Sequence, residues 1–230
     1  DTSAVDYMFS WHGNADLIVA IIKLFEDLKN SENDIIDKGV QAILLVEDSV
    51  RFYSTYLPEL YKLILKQSSE FLKETLNEQQ RKFRKRSRPK ILLATNLDDA
   101  LQMYTRYRNN LLGVISDVGF TVHKGDSADM EKLDAGIDLV KHIKADNEKM
   151  PILLQSSQDS ISAVAKELGV GFLRKYSKTL MLQLSDFIKE EFGFGDFVFR
   201  DANHVEYGRA ANLKELEAII REVPDEVLLY

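Results

Sequence analysis

The sequence predicts an α/β protein built on a doubly wound, five-stranded parallel sheet. Five short apolar runs, at 42–46, 91–94, 112–115, 152–154 and 171–173, are each followed by apolar residues at helical spacing. Repeated strand–helix alternation calls for crossover connections between parallel neighbours, and these place helices on both faces of one sheet. Charge supplies the third observation. Glu47 and Asp48 follow the first run, Asp117 the third, Ser156 the fourth and Lys175 the fifth. In an open sheet of this kind ligands bind beyond the carboxyl ends of the strands.

Taken in order, "DYMFSW" reads as a strand and "DLIVAIIKLFEDLKN" as an amphipathic helix, joined to the main unit by the polar linker "NSENDIIDKG". After the first sheet strand, Tyr53, Tyr56, Leu57, Leu60, Tyr61, Ile64, Leu72 and Leu76 mark one face of a long helix. It is expected from about Val50 to about Ser87, roughly 55 Å at 1.5 Å per residue. Pro58 should kink it near its start, since proline removes a donor and crowds the preceding turn. The tyrosines read as core or as a helix-pairing seam. "RKFRKRSRPK", with seven basic residues, reads as a solvated helix end favourable to the dipole.

After Asp117, "DVGFTVHKGDSADMEKLDAG" is polar until helical spacing resumes at Ile137, Leu139, Val140 and Ile143, so a long loop is expected over the site. Near the end, "DFVFRDANHVEYGRA" reads as a hairpin turning at 201–203, with Asn212 capping a helix over 213–221. The expected division is a strand–helix tail and linker at 1–38, the main unit at 39–192 and the start of a following domain at 193–230.

Composition bounds the function. With 230 residues, 45% of them hydrophobic, the chain can fill a core. The absence of cysteine excludes disulfides, thiolate metal sites and cysteine nucleophiles, and fits a reducing compartment, so the cytoplasm is the expected location. The apolar run 17–22 is too short to span a bilayer. A net charge of -7 disfavours nucleic-acid binding. His12, His123, His142 and His204 lack ligand spacing. A start at Asp1 and an apolar end at Tyr230 read as a piece of a longer protein.

The chemistry lies at the strand ends. If those strands are neighbours, Glu47, Asp48, Asp117, Ser156 and Lys175 converge on one mouth. Three carboxylates in one pocket are poorly tolerated without a hard divalent cation, and Mg²⁺ binds through few carboxylates plus waters and phosphate oxygens. A dinucleotide site would instead place glycines after the first strand.

These residues resemble the receiver domain of bacterial response regulators, a flavodoxin-like fold, over about 39–192. The resemblance implies that Glu47 and Asp48 help hold Mg²⁺ and that Asp117 accepts a phosphoryl group from a histidine kinase or phosphotransfer protein. It further implies Ser156 in "PILLQSSQ" as the hydroxyl residue, Lys175 in "GFLRK" as the lysine, Phe172 as the switch aromatic and the backbone carbonyl of Gly119 as a further metal ligand. The chain departs from the pattern in three places. Tyr176 stands where proline usually follows the lysine, the loop after Asp117 is longer than usual, and the first helix is extended. The flanks "WHGNADLIVAIIKLFEDLKN" and "FGFGDFVFRD" resemble the regulatory N-terminal part of bacterial proteins that end in a phosphoenolpyruvate- and pyruvate-utilising, ATP-binding kinase domain. That would make 1–38 the tail of a preceding receiver-like unit and the present chain regulatory rather than enzymatic, controlling a C-terminal output domain. Two other readings stand beside this one. The first is a pseudo-receiver scaffold that forms a homodimer through its long first helix. The second is a metal-dependent phosphatase with Asp117 or Asp48 as nucleophile.

Overall fold

The five apolar runs form one all-parallel sheet in the computed structural model, which describes residues 7–11, 13–73, 88–192, 197–200, 206–210, 213–222 and 228–229. Its strands are β1 (Ala42–Val46), β2 (Lys90–Ala94), β3 (Leu111–Asp117), β4 (Ile152–Ser156) and β5 (Gly171–Arg174). Their order is β2-β1-β3-β4-β5, the flavodoxin-like doubly wound arrangement.

Period-two alternation divides the strand residues between two helical layers. Ile43, Leu45, Ile91, Leu93, Leu153 and Leu173 face α1 (Asp16–Ser31), α2 (Val50–Lys73) and α6 (Leu180–Glu190). Leu44, Val46, Leu92, Ala94, Ile152 and Leu154 face α3 (Leu97–Tyr107), α4 (Ala135–Asp146) and α5 (Ile161–Glu167). Burial on both faces is why the strands read as unbroken apolar runs. In β3 the register shifts, Ala42 opposing Leu111 while Ile43 opposes Gly113. The extra residue, Leu112, joins the α1–α2–α6 layer. Gly113 lacks a side chain for a reason: a Cβ there would lie 2.1 Å from the Phe192 ring.

The N-terminal segment departs from the sequence reading. Residues 7–11 form no strand. They lie against the edge strand β2 and against α2: the Tyr7 hydroxyl donates to the Leu93 carbonyl (2.7 Å), the Ser10 N–H donates to Ser54 Oγ (2.9 Å), and Phe9 packs edge-on against Tyr53. The polar "linker" is helical too, α1 running on into a wide π-turn at Glu32–Asp37 that buries Ile35 completely. The end of the basic run is likewise not solvated. Arg88 and Lys90 are buried, Arg88 gripping Asp27 through both amino nitrogens (3.0 and 2.6 Å) and Lys90 reaching Asp34 (2.7 Å). Asp27 is fully buried and also accepts from the Tyr61 hydroxyl (2.9 Å) and the Ile91 N–H (3.0 Å). Side chains from the N-terminal segment thus satisfy the outward Ile91 N–H and Leu93 C=O of the edge strand, groups that would otherwise invite another strand.

α2 continues through Pro58 to Lys73 and buries Tyr53, Tyr56, Leu57, Leu60, Tyr61 and Ile64, the core alternative for the aromatic stripe. The further reach of this helix expected over 74–87, and the side chains of Leu72 and Leu76, lie outside the described residues. A second, antiparallel sheet is formed by β6 (Phe197–Arg200), β7 (Glu206–Ala210) and β8 (Leu228–Leu229), in the order β7-β6-β8, and α7 spans Leu213–Glu222. This is the expected hairpin and helix. Its turn and Asn212 fall outside the described residues. Among the described residues no helix is long and apolar enough to cross a membrane.

Candidate functional site

The sheet changes winding direction between β1 and β3, and the carboxyl ends of those two strands open a crevice. β1 delivers Glu47 and Asp48 to it, and β3 delivers Asp117. One carboxylate oxygen from each lies within 4.8 Å of the others. Local structure fixes the pair on β1. The Glu47 N–H donates to the Ala94 carbonyl (3.0 Å), continuing the ladder by one residue, and Glu47 Oε1 accepts from the Ser49 N–H (3.1 Å) where α2 begins.

Lys175, the first residue after β5, reaches across the mouth. Its N–H donates to the Ser156 carbonyl (2.9 Å), and its ammonium bonds Asp117 Oδ2 and stands 2.7 Å from Glu47 Oε2. It also lies 4.3 Å from the centre of the Phe52 ring, which stacks on Tyr56. Among the described residues this ammonium is the one counter-charge that the buried Oε2 of Glu47 meets. Burial pushes the Glu47 carboxyl up, the Asp117 charge adds to this and Lys175 opposes it. Asp48 is raised to about 6 by burial, with Asp117 and Glu131 adding to the rise and the Thr121 N–H opposing it. Burial alone would lower Lys175, but Glu47 and Asp117 outweigh it and raise it.

These features fit a hard divalent cation. Three carboxylates that each offer an oxygen within 4.8 Å of the others are a donor set Mg²⁺ takes when it keeps part of its water shell. Glu47, Asp48 and Asp117 would hold it.

The remaining expected residues are placed as follows. Ser156 ends β4 and is buried, its Oγ accepting from the Gln158 N–H (3.1 Å), whereas Ser157 is exposed. Phe172 is half-buried and packs on the α3–α4–α5 side of the sheet. Gly119 lies two residues past Asp117, and its missing side chain leaves room for Glu131: a Cβ there would sit 2.3 Å from Glu131 Oε1. The loop between β3 and α4 is tied by an antiparallel bridge between Phe120 and Lys132, with Phe120 fully buried. It lies beside the site, its Thr121 N–H pointing at Asp48 Oδ2 (3.4 Å).

Three participants were not visible in the sequence reading. Glu131 bears on Asp48, yet it was one of several acids in a polar loop. Phe52 fell just off the tyrosine stripe. Gly136, in the first turn of α4, lets that helix abut the end of β3, because a Cβ would lie 2.1 Å from the Asp117 carbonyl oxygen. A glycine in the first turn of a helix was the available signal.

No known family model matches the chain, and no curated protein matches it. Solved structures do. A response regulator receiver domain protein from Clostridium thermocellum is 20% identical, covering 66% of this chain and 94% of its own, with a TM-score of 0.43. The non-phosphorylated HemR receiver domain from Leptospira biflexa is 22% identical over 64% of this chain and 94% of its own, with a TM-score of 0.40. The receiver domain of NtrX from Brucella abortus is 20% identical over 64% and 98%, with a TM-score of 0.38. The fold rests on the sheet order β2-β1-β3-β4-β5.

Proposed function

We propose that the chain is a phosphorylation-controlled receiver module, with Asp117 as phosphoryl acceptor and Mg²⁺ held by Glu47, Asp48, Asp117 and the backbone carbonyl of Gly119. The observation that carries this reading is the convergence of the Glu47, Asp48 and Asp117 carboxylates, one oxygen of each within 4.8 Å of the others, with the Lys175 ammonium beside them. When bound, Mg²⁺ would neutralise charge on the oxygens of the transferring group. The chain's own residues supply the rest. An Asp117 carboxylate oxygen attacks phosphorus, the bond from phosphorus to the donor nitrogen of a histidine kinase or phosphotransfer protein breaks, and its electron pair leaves with the donor. Lys175 offers a fixed ammonium at the acceptor. The Ser156 hydroxyl donates to the new phosphoryl group, and Phe172 on the neighbouring strand responds to the shift of that strand end.

Acetyl phosphate with Mg²⁺ tests the transfer, and beryllofluoride with Mg²⁺ tests the conformational step. Intact mass should show one phosphoryl group on the wild type and none on Asp117→Asn, and hydrogen exchange should change around Ser156 and Phe172. No modification of the wild type, or equal modification of Asp117→Asn, overturns the reading.

On this reading 39–192 is the receiver, with α1 of the 1–38 segment docked onto it. Residues 193–230 begin a following unit, in a longer cytoplasmic protein whose output domain is of the phosphoenolpyruvate/pyruvate kinase type, and the present chain is regulatory. One observation favours a second reading, a phosphorylation-independent scaffold: Lys175 already bridges Glu47 and Asp117. Calorimetry separates the two, since the receiver binds Mg²⁺ and loses it in Asp48→Ala, whereas the scaffold binds none.

A further inference from the structure

Among the described residues Tyr176 is the one non-glycine residue with a left-handed backbone, at a φ of 65°. It stands third in a turn closed by the Ser177 N–H on the Arg174 carbonyl (3.4 Å), a place that glycine fills without steric cost. Burial does not offset the strain, because the side chain is 75% exposed. Strain held at an exposed residue beside a site points to a local task, and the contact this ring makes is specific. It packs edge-on against Phe52, with ring centres 6.1 Å apart and planes at 89°. Phe52 is the ring whose centre lies 4.3 Å from the Lys175 ammonium. Tyr56 stacks on Phe52 with centres 5.3 Å apart, and its own hydroxyl accepts from the Gln155 side chain of β4. Phe52 is thereby held from the core by Tyr56 and at the surface by Tyr176.

We propose that Tyr176 is a positioning residue for Lys175: its left-handed backbone sets the ring against Phe52, and Phe52, so fixed, keeps the Lys175 ammonium at the mouth of the site. The backbone of Lys175 is already tied, its N–H on the Ser156 carbonyl (2.9 Å), so what remains to be fixed is the long side chain. Glu47 and Asp117 hold the ammonium at its far end. Those two carboxylates are also the groups that would turn to a cation or a phosphoryl group, and the face of Phe52 is the contact that the ammonium keeps throughout. A ring that cannot swing away leaves the ammonium fewer positions to explore. The bearing of this on phosphoryl transfer rests on the receiver reading, whereas the contact between Tyr176, Phe52 and Lys175 stands without it.

Two variants test it. Tyr176→Gly accepts the same backbone and removes the ring, and Tyr176→Phe keeps the ring. In the full chain with carbon-13-labelled lysine, NMR should show the ε-methylene protons of Lys175 displaced upfield by the Phe52 ring, the signal being assigned by its loss in Lys175→Met. Tyr176→Gly should return that signal toward the ordinary lysine position, and Tyr176→Phe should restore it. With acetyl phosphate and Mg²⁺, the limiting rate of Asp117 modification should fall about tenfold in Tyr176→Gly, with the half-saturating acetyl phosphate concentration unchanged. A Lys175 signal that is the same in Tyr176→Gly as in the wild type overturns the proposal, as does a wild-type limiting rate in Tyr176→Gly. A wild type that takes up no phosphoryl group overturns the receiver reading instead, and the Lys175 signal still decides the role of Tyr176.

Discussion

Lys175 holds two carboxylates at once, so its ammonium decides the charge state of the whole pocket. Replacing it by methionine keeps much of the stem that lies beside Phe52 but leaves Glu47 and Asp117 facing each other unneutralised. Removing one partner of a buried pair costs about 3–5 kcal/mol, and urea unfolding of Lys175→Met should show a loss of that size. A loss below about 1 kcal/mol would mean the pocket is solvated rather than buried. Asp48 gives a pH dependence. Its carboxyl is raised to about 6 and that of Glu47, a ligand of the same site, to about 8; a metal needs both ionised, so Mg²⁺ affinity should fall about tenfold per pH unit below about 8 and more steeply below about 6, read by calorimetry. Without metal the sign reverses. The folded state holds this proton more tightly than the unfolded chain, so the Asp48 contribution to stability is present at low pH and is lost as pH rises from 3.8 through about 6.

Beyond their apolar packing, two elements depend on a single residue for how they seat. α1 is held by Asp27, which takes two bonds from Arg88 and one each from Tyr61 and the Ile91 N–H. Asp27→Ala would strand the Arg88 guanidinium in the interior, at a cost of about 3–5 kcal/mol, and should raise hydrogen exchange along α1 and at Ile91. Unchanged exchange at Ile91 would show that Asp27 does not seal the edge strand. α4 is held against β3 through Gly136. Gly136→Ala must push the helix off the Asp117 carbonyl, costing about 1–3 kcal/mol by overpacking, and should slow acetyl phosphate modification as well as lower the unfolding midpoint. A stable variant modified at the wild-type rate would show that the contact is not needed to place Asp117.

For the molecule as a whole, the N-terminal segment is part of the sheet's protection. A chain beginning at Gly39 loses α1, Tyr7 and Asp27, and with them the groups satisfying the outer edge of β2, so it should aggregate or sediment as mixed oligomers where the full chain does not. A well-behaved 39–230 chain would sink that expectation. The sequence by itself determined the five strands, their order along the chain and the strand-end positions of Glu47, Asp48, Asp117, Ser156 and Lys175, because buried parallel strands must be apolar throughout and any charge at their ends stands out. It misread what depends on partners distant in sequence. "DYMFSW" alternates like a strand, yet residues 7–11 form none, and Tyr7 and Phe9 pack on β2 and α2; "NSENDIIDKG" and Arg88–Lys90 look solvated, yet one buried ion cluster draws them together. Only the tertiary structure decided that Glu131 and Phe52 border the site and that Gly136 abuts it. These residues meet across loops of many residues, and no local pattern records which face each will turn toward the others.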